Sequence, residues 1–189
     1  GVRDPDKAAK KLAESKIEIR GAMIQQGAAI DASAVELRGL DVEKAGTAEL
    51  AAQLKGVDGL VIAVGFVPGN PFKMNAAAHA VDNVGTVSLI DAAKAAGVKK
   101  VVLVSSILTD AGKWGQLDSP GYKITNAFGQ VLEEKLVAEQ HLRGVGLDWT
   151  IVRPGGLKAE PPTGALFVSG ENTLNSGEIS RDLVAEVSV

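Results

Sequence analysis

The sequence predicts an α/β protein built on a doubly wound parallel sheet, and three observations carry that reading. Lys99-Lys100-Val101-Val102-Leu103-Val104-Ser105-Ser106 is an apolar run without alternation, the pattern of a strand buried on both faces, and it stops at two hydroxyls. Before it, Val81 to Ala96 carries apolar residues at Val84, Val87, Leu89, Ile90 and Ala93 and ends at Gly97, a helix C-cap residue. Two further apolar runs, Gly59 to Gly65 and Asp148 to Val152, repeat the strand and helix rhythm on either side. A barrel of alternating strands and helices needs about eight such units, roughly twice the number here. Open α/β sheets bind ligands beyond the carboxyl ends of their strands, which puts Ser105 and Ser106 where chemistry is expected.

The 189 residues suffice for one core. Apolar residues make up 46% and aromatics only 4%, a balance of small aliphatic side chains that suits helix-on-sheet packing. The net charge of −3 and the scattered Lys and Arg give no basic stripe for nucleic acid or anionic lipid. The absence of cysteine removes disulfides, thiolate metal sites and cysteine nucleophiles together. No apolar run reaches membrane-span length, and the first residues lack a secretory signal pattern. Gly1-Val2-Arg3 reads as the last step of a strand, so the chain is expected to be a fragment.

Asp4-Pro5-Asp6-Lys7 is a helix start, with Asp4 as acceptor for free amides and Pro5 at the first helical position; the helix should run to about Ser15. Lys16 to Ala34, interrupted by Gly21 and Gly27, reads as a loop or an insertion. Val35-Glu36-Leu37-Arg38 alternates like a short strand, and a helix is expected over about Gly46 to Leu54. The Pro, Gly and Asn content of Phe66 to Ala78 predicts a loop, as does Ile107 to Pro120; one helix should follow from about Ile124 to Arg143. Ala165 to Val168 is expected as a small strand, and Ser180 as the cap of a last helix.

Gly1-Val2-Arg3-Asp4-Pro5, Leu40-Asp41-Val42, Val81-Asp82-Asn83-Val84-Gly85-Thr86, Val104-Ser105-Ser106 and Val152-Arg153-Pro154-Gly155-Gly156-Leu157 together resemble the atypical short-chain dehydrogenase/reductases. More narrowly, Val104 to Thr109, Ile151 to Gly164 and Asn172 to Glu186 are similar to NAD(P)-binding Rossmann proteins of plant and algal chloroplasts. These are related to the dinucleotide-binding part of an inner-envelope translocon component. The resemblance implies one NAD(P)-binding Rossmann-like domain over residues 1 to 189, lacking its first strand and glycine-rich turn, and a chloroplast location. It also implies an oxidoreductase using NADP in preference to NAD, or a non-catalytic scaffold, redox sensor or assembly subunit on the same fold.

The resemblance assigns cofactor contacts to Arg3, Asp41, Val42, Ala63, Val64, Gly65, Ser105, Lys135, Pro154, Gly155 and Leu157. A guanidinium at Arg3 suits a 2′-phosphate, although an arginine at a strand end can also be merely solvated. Asp41 and Val42 would flank the adenine, yet an aspartate there is often only a turn former. Ala63 and Gly65 lack bulk, which suits close contact with a ligand and suits plain packing equally. Ser106 would polarise a substrate carbonyl, and Asn83 would brace the backbone of the site. The family's tyrosine, one helical turn before Lys135, is replaced by Val131, which cannot donate a proton. Lys135 keeps a ribose-binding role by resemblance or is an ordinary surface lysine, and Tyr122 is the expected substitute acid. His79 and His141 lack metal-ligand spacing, and no nucleophile elbow is present.

Overall fold

The structure is a computed structural model describing residues 1–14, 34–127, 129–159 and 164–189, with the backbone alone at 16–19 and 23–26. Helix α1, Pro5–Glu14, starts as the sequence predicts, with Asp4 Oδ1 accepting the Lys7 amide at 2.9 Å. The loop expected at Lys16 to Ala34 instead holds an antiparallel hairpin of β1, Lys16–Ile19, and β2, Met23–Gln26. Ile17, Ile19 and Ile24 carry the strand preference that the nearby glycines obscured. The rest of that stretch lies outside the described residues. The strand expected at Val35 to Arg38 is reduced to one parallel bridge between Val2 and Gly39, flanked by Val2 N donating to Arg38 O at 2.9 Å.

Helix α2, Thr47–Gln53, leads into β3, Gly59–Ile62. The next helix begins earlier than its apolar period suggests. Asn70 Oδ1 accepts the Phe72 amide to open a 3-10 turn at Pro71–Lys73, followed by α3, Met74–Ala78, then a π-helical turn, His79–Gly85, then α4, Thr86–Ala96. Part of the expected loop at Phe66 to Ala78 is therefore helical. Gly97, with φ +76°, caps α4 in the left-handed region before β4, Lys100–Val104.

The single helix expected from Ile124 to Arg143 is two. Helix α5, Pro120–Asn126, is capped by Ser119 on the Tyr122 amide, and α6 covers Val131–Gly144. Gly129, with φ +104°, lies between them, and a Cβ there would stand 2.8 Å from the Met74 carbonyl carbon. The chain turns where only glycine fits. Strand β5, Asp148–Val152, follows. Ala165 to Val168 is irregular, and the late pairing is made instead by β6, Gly156–Lys158, with β7, Glu178–Ser180. Ser180 caps α7, Arg181–Val187, through the Leu183 amide.

Strands β3, β4 and β5 form a parallel sheet in that order, with Ile62 beside Leu103 and Leu103 beside Ile151. This is the order of one half of a doubly wound sheet. One face is sealed: Ile62, Val101 and Leu103 pack with Leu50 and Leu54 near α2, Leu89, Ile90, Ala92 and Ala93 of α4, and Leu142 of α6. Each buried Leu, Ile or Val among them contributes about 1.5 to 3 kcal/mol. The expectation that the β4 run is buried on both faces holds on this side only, because Val102 and Val104 are half-buried and neighbouring Val61 is 45% exposed. Among the described residues no helix is long and apolar enough to cross a membrane.

Candidate functional site

The carboxyl ends of β3, β4 and β5 meet the first turns of α6 at one edge of the sheet, and Lys135 sits at the junction. Its Nζ donates to Val64 O at 3.3 Å and lies 2.8 Å from Asp82 Oδ1, outside hydrogen-bond angles and so an ion pair. Asp82 has no exposed side-chain surface and Lys135 only 18%. The other carboxylate oxygen, Oδ2, accepts the Phe66 amide at 3.1 Å. Ala63 and Gly65 are exposed beside this group, and a Cβ at Gly65 would meet Asp82 Oδ1 at an ordinary 3.6 Å. The strand tip is thus lined by small residues, open above, with a cation set into its floor. Sequence reasoning placed the backbone brace at Asn83. It belongs to Asp82, since the Asn83 amide turns to Glu134 Oε2 at 2.7 Å, an oxygen shared with His79 Nδ1.

Ser105 and Ser106 have opposite fates. Beyond β4 the ladder continues, Ser105 N donating to Val152 O and Ile107 N to Pro154 O, so alternation sends the two hydroxyls apart. Ser105 Oγ goes inward and donates to Glu139 Oε1 at 2.5 Å, where Thr109 Oγ1 also donates at 3.1 Å. The Ser105 hydroxyl, at the residue expected to contact the cofactor, is engaged by Glu139. The Ser106 hydroxyl is half-buried and makes no hydrogen bond among the described residues. Leu108, two residues on, is buried with φ +69°, a conformation that costs a bulky side chain energy and is found near functional sites.

Glu139, one turn after Lys135 on α6, is wholly buried and is gripped by Arg153, whose Nε reaches Oε1 at 3.0 Å and Oε2 at 3.1 Å. Burial works against the Arg153 charge, but Glu139, with Glu171 and Asp110 behind it, outweighs that and raises its pKa. Arg153 also donates to Asn172 Oδ1 at 2.9 Å, fastening residues 171 and 172 to the end of β5. Neither Glu139 nor Arg153 was singled out from sequence. The available signal was an acid four residues after Lys135 on one helix face and a charge at the end of an apolar strand.

Tyr122 is not the free phenol that a substitute acid requires. It packs with Val131 against Leu108, Ala111 and Leu132, and its hydroxyl donates to Glu133, which also accepts from Asn126 Nδ2 at 2.8 Å. Burial, then the hydrogen bond and charge of Glu133, push its pKa up to about 12. Such a phenol holds its proton at neutral pH.

Beyond the isolated Val2 bridge, Arg3 Nη1 pairs with Glu43 Oε2 at 3.0 Å, with both groups partly in solvent. Asp41 accepts the Glu43 amide at 3.1 Å and pairs with Lys44, the arrangement of a turn former. Val42 packs against the π-helical turn, where a Cβ on Gly85 would stand 2.8 Å from Val42 Cγ2. Pro154 is buried. The space that sequence reserved at Gly155 for a ligand is taken by the protein itself, since a Cβ there would lie 2.5 Å from Gly177 O. Leu157 is 41% exposed in β6. Past Ser106, Ile107, Pro154, Phe167, Leu174 and Ile179 line a cleft of about 640 Å³.

A parallel three-stranded sheet with a ligand edge at its strand tips, a buried lysine and carboxylate beneath that edge and a cleft of mixed lining beside it defines a dinucleotide-binding α/β protein of Rossmann-like type. The model of the NAD(P)H-binding family matches residues 2–189, and the chain belongs to that family. It is 49% identical over 134 residues to an uncharacterised chloroplastic protein of Arabidopsis thaliana, covering 69% of this chain and 45% of the relative. Over 193 residues it is 30% identical to Protein TIC 62, chloroplastic, of Oryza sativa, covering 99% of this chain and 36% of that protein. Among solved structures it is similar to the anaerobillin reductase ChuY of Escherichia coli, with a TM-score of 0.55 and 25% identity over 78% of this chain and 64% of that one. The chain spans less than half the length of these two curated relatives.

Proposed function

We propose that this chain is one NADP(H)-binding domain, located in the chloroplast, that reduces a small apolar substrate. The observation carrying the proposal is the Lys135 ammonium, fixed between Val64 O and Asp82 beneath the exposed tip formed by Ala63 and Gly65. An ammonium has three donors; Val64 O takes one and the Asp82 charge holds the head group in place, which leaves N–H for ribose hydroxyls. The bound nucleotide supplies the hydride, and the chain supplies position and electrostatics. Val64 and Gly65 offer backbone along the ring edge, and Ser106 polarises the substrate oxygen with a hydroxyl that has no other partner among the described residues. The cleft beyond Ile107 holds the apolar body of the substrate against Ile107, Phe167, Leu174 and Ile179. Tyr122, with its proton held by Glu133, is given no proton-transfer role, so the proton that completes the reduction after hydride transfer is taken from solvent water at the exposed strand tip.

The choice of NADP rests on Arg3. Its pair with Glu43 is partly solvated and worth about 0 to 1 kcal/mol, so a 2′-phosphate can replace Glu43 as its partner. The chloroplast location rests on the relatives that carry that word in their names. Titration with NADPH, NADP and NADH, followed by nucleotide fluorescence or calorimetry, tests the reading. NADPH should bind more tightly than NADH, and no binding of any dinucleotide would end it.

A second reading keeps the nucleotide and drops the chemistry. It is favoured by the apolar packing of Val131 at the position of the family phenol, and by the likeness to TIC 62 over nearly the whole chain. On that reading the domain is a scaffold or redox sensor. Binding of NADPH without consumption of it, across acceptors that fit the cleft, would decide for the second reading.

A further inference from the structure

The π-helical turn His79–Gly85 widens the helix between α3 and α4. At its end Val81 O accepts a backbone amide and also the Thr86 Oγ1 hydroxyl at 2.9 Å. The turn is locked from outside by Val42, packed so closely on Gly85 that no side chain fits there. Within this frame Asp82 is carried in the middle of the turn, and its carboxylate lies beneath the Val64-Gly65-Phe66 tip with no exposed surface. A buried carboxylate is costly unless each oxygen has a partner. Here Oδ1 has the Lys135 ammonium and Oδ2 has the Phe66 amide. One carboxylate therefore ties together three elements at the strand tip: the turn, the segment after β3 and the start of α6.

Resting on the nucleotide-binding reading above, we propose that Asp82 is a positioning residue for nucleotide binding. It holds the Lys135 head group at the tip of β3, so that one N–H faces outward, and fixes the amide of Phe66 in the adjoining segment. Without it, Lys135 can swing to solvent, to which it is already 18% exposed. Asparagine is close in size but cannot serve both partners, because one of its two polar atoms is a donor and must face either a cation or an N–H. Glutamate keeps the charge and displaces it by one methylene.

The test is NADPH titration of the whole chain as wild type, Asp82→Asn, Lys135→Met and the double variant, with a thermal melt of each. Asp82→Asn should lose about tenfold in NADPH affinity, the size of one misdirected charge-assisted hydrogen bond, and should cost little more once Lys135 is methionine. Wild-type affinity in Asp82→Asn, even with a lower melting temperature, would overturn the proposal by leaving Asp82 a purely structural role. Fully additive losses in the double variant would overturn it too, because Asp82 would then not act through Lys135. A second readout needs no nucleotide: the rate at which an amine-reactive reagent labels Lys135, read by peptide mass spectrometry. Labelling should be several-fold faster in Asp82→Asn, and equal rates would overturn the proposal. If wild type binds no dinucleotide, the proposed function fails by itself, and the labelling rates alone decide whether Asp82 holds Lys135. Should Asp82→Asn not accumulate as folded protein, Asp82→Glu carries both readouts, with weaker binding and faster labelling expected and unchanged values counting against the proposal.

Discussion

Glu139 receives Arg153 on both carboxylate oxygens at a place where Glu139 is sealed from water and Arg153 nearly so, 0% and 13% exposed at the side chain. The pair joins α6 to the end of β5, and Ser105 and Thr109 add the end of β4 through the same carboxylate. Removing one partner of such a pair strands a buried charge. Glu139→Gln should therefore lower stability by about 3 to 5 kcal/mol, whereas an exposed pair such as Lys99 with Asp58 should contribute less than about 1 kcal/mol. Urea unfolding of Glu139→Gln and Asp58→Asn side by side measures the contrast, and equal losses would contradict the assignment of this cluster as the clasp of the sheet edge.

Gly155→Ala should destabilise the chain through backbone collision. A methyl there meets the Gly177 carbonyl at 2.5 Å, and Gly156 N already donates to that oxygen at 2.9 Å, so the β6 and β7 pair must separate to admit it. Forced overpacking of this kind typically costs about 1 to 3 kcal/mol. Gly112→Ala, where nothing lies within 4 Å, is the control and should be near neutral. A melt of Gly155→Ala matching that control would show that segment 177 yields freely.

The sheet was legible in sequence because β4 and β5 are apolar enough to declare themselves, and the helix ends carry their own signals in Asp4, Gly97 and Ser180. What the pattern could not give was a feature that depends on two distant segments meeting. The α5 and α6 break exists because Gly129 passes against Met74, fifty-five positions earlier in the chain, and no period in Ile124 to Arg143 records that. The site divides the same way. The family resemblance pointed to Lys135, and the strand tip to Ser105 and Ser106, but the acids that hold Lys135 and Ser105, Asp82 and Glu139, are buried residues whose sequence neighbourhoods look like ordinary helix surface. Gly155 shows the converse error, a glycine read as room for a ligand and used as room for the chain's own backbone.

Arg3 sets the expected discrimination between the two dinucleotides. Exchanging it for alanine should weaken NADPH binding and leave NADH binding unchanged, because only the 2′-phosphate addresses the guanidinium, and one charge-assisted pair is worth about 1.5 to 3 kcal/mol, or roughly ten- to a hundredfold. Glu43→Gln should act in the opposite direction by releasing Arg3 from its present partner. Parallel titrations of both variants check this, and equal losses for the two nucleotides in Arg3→Ala would remove the argument for NADP.

Tyr122 gives a pH prediction whose sign follows from its surroundings. Burial and the Glu133 carboxylate favour the neutral phenol, raising its pKa from 10.0 to about 12 in the folded chain. A group that holds its proton more tightly when folded stabilises the fold fully below its unfolded pKa, near 10, and that contribution is lost as pH rises from there through about 12. Because the chain has one tyrosine, the ultraviolet absorbance of phenolate reports this residue alone. Its midpoint should lie near 12, with the folded state verified by circular dichroism at each pH. Tyr122→Phe should be less stable than wild type at neutral pH by about 1 kcal/mol, the net worth of one hydrogen bond, and the gap should close in alkali as the wild-type phenol ionises. A midpoint near 10, or a gap independent of pH, would mean that Glu133 does not hold the phenol, and would return Tyr122 to the set of available proton donors.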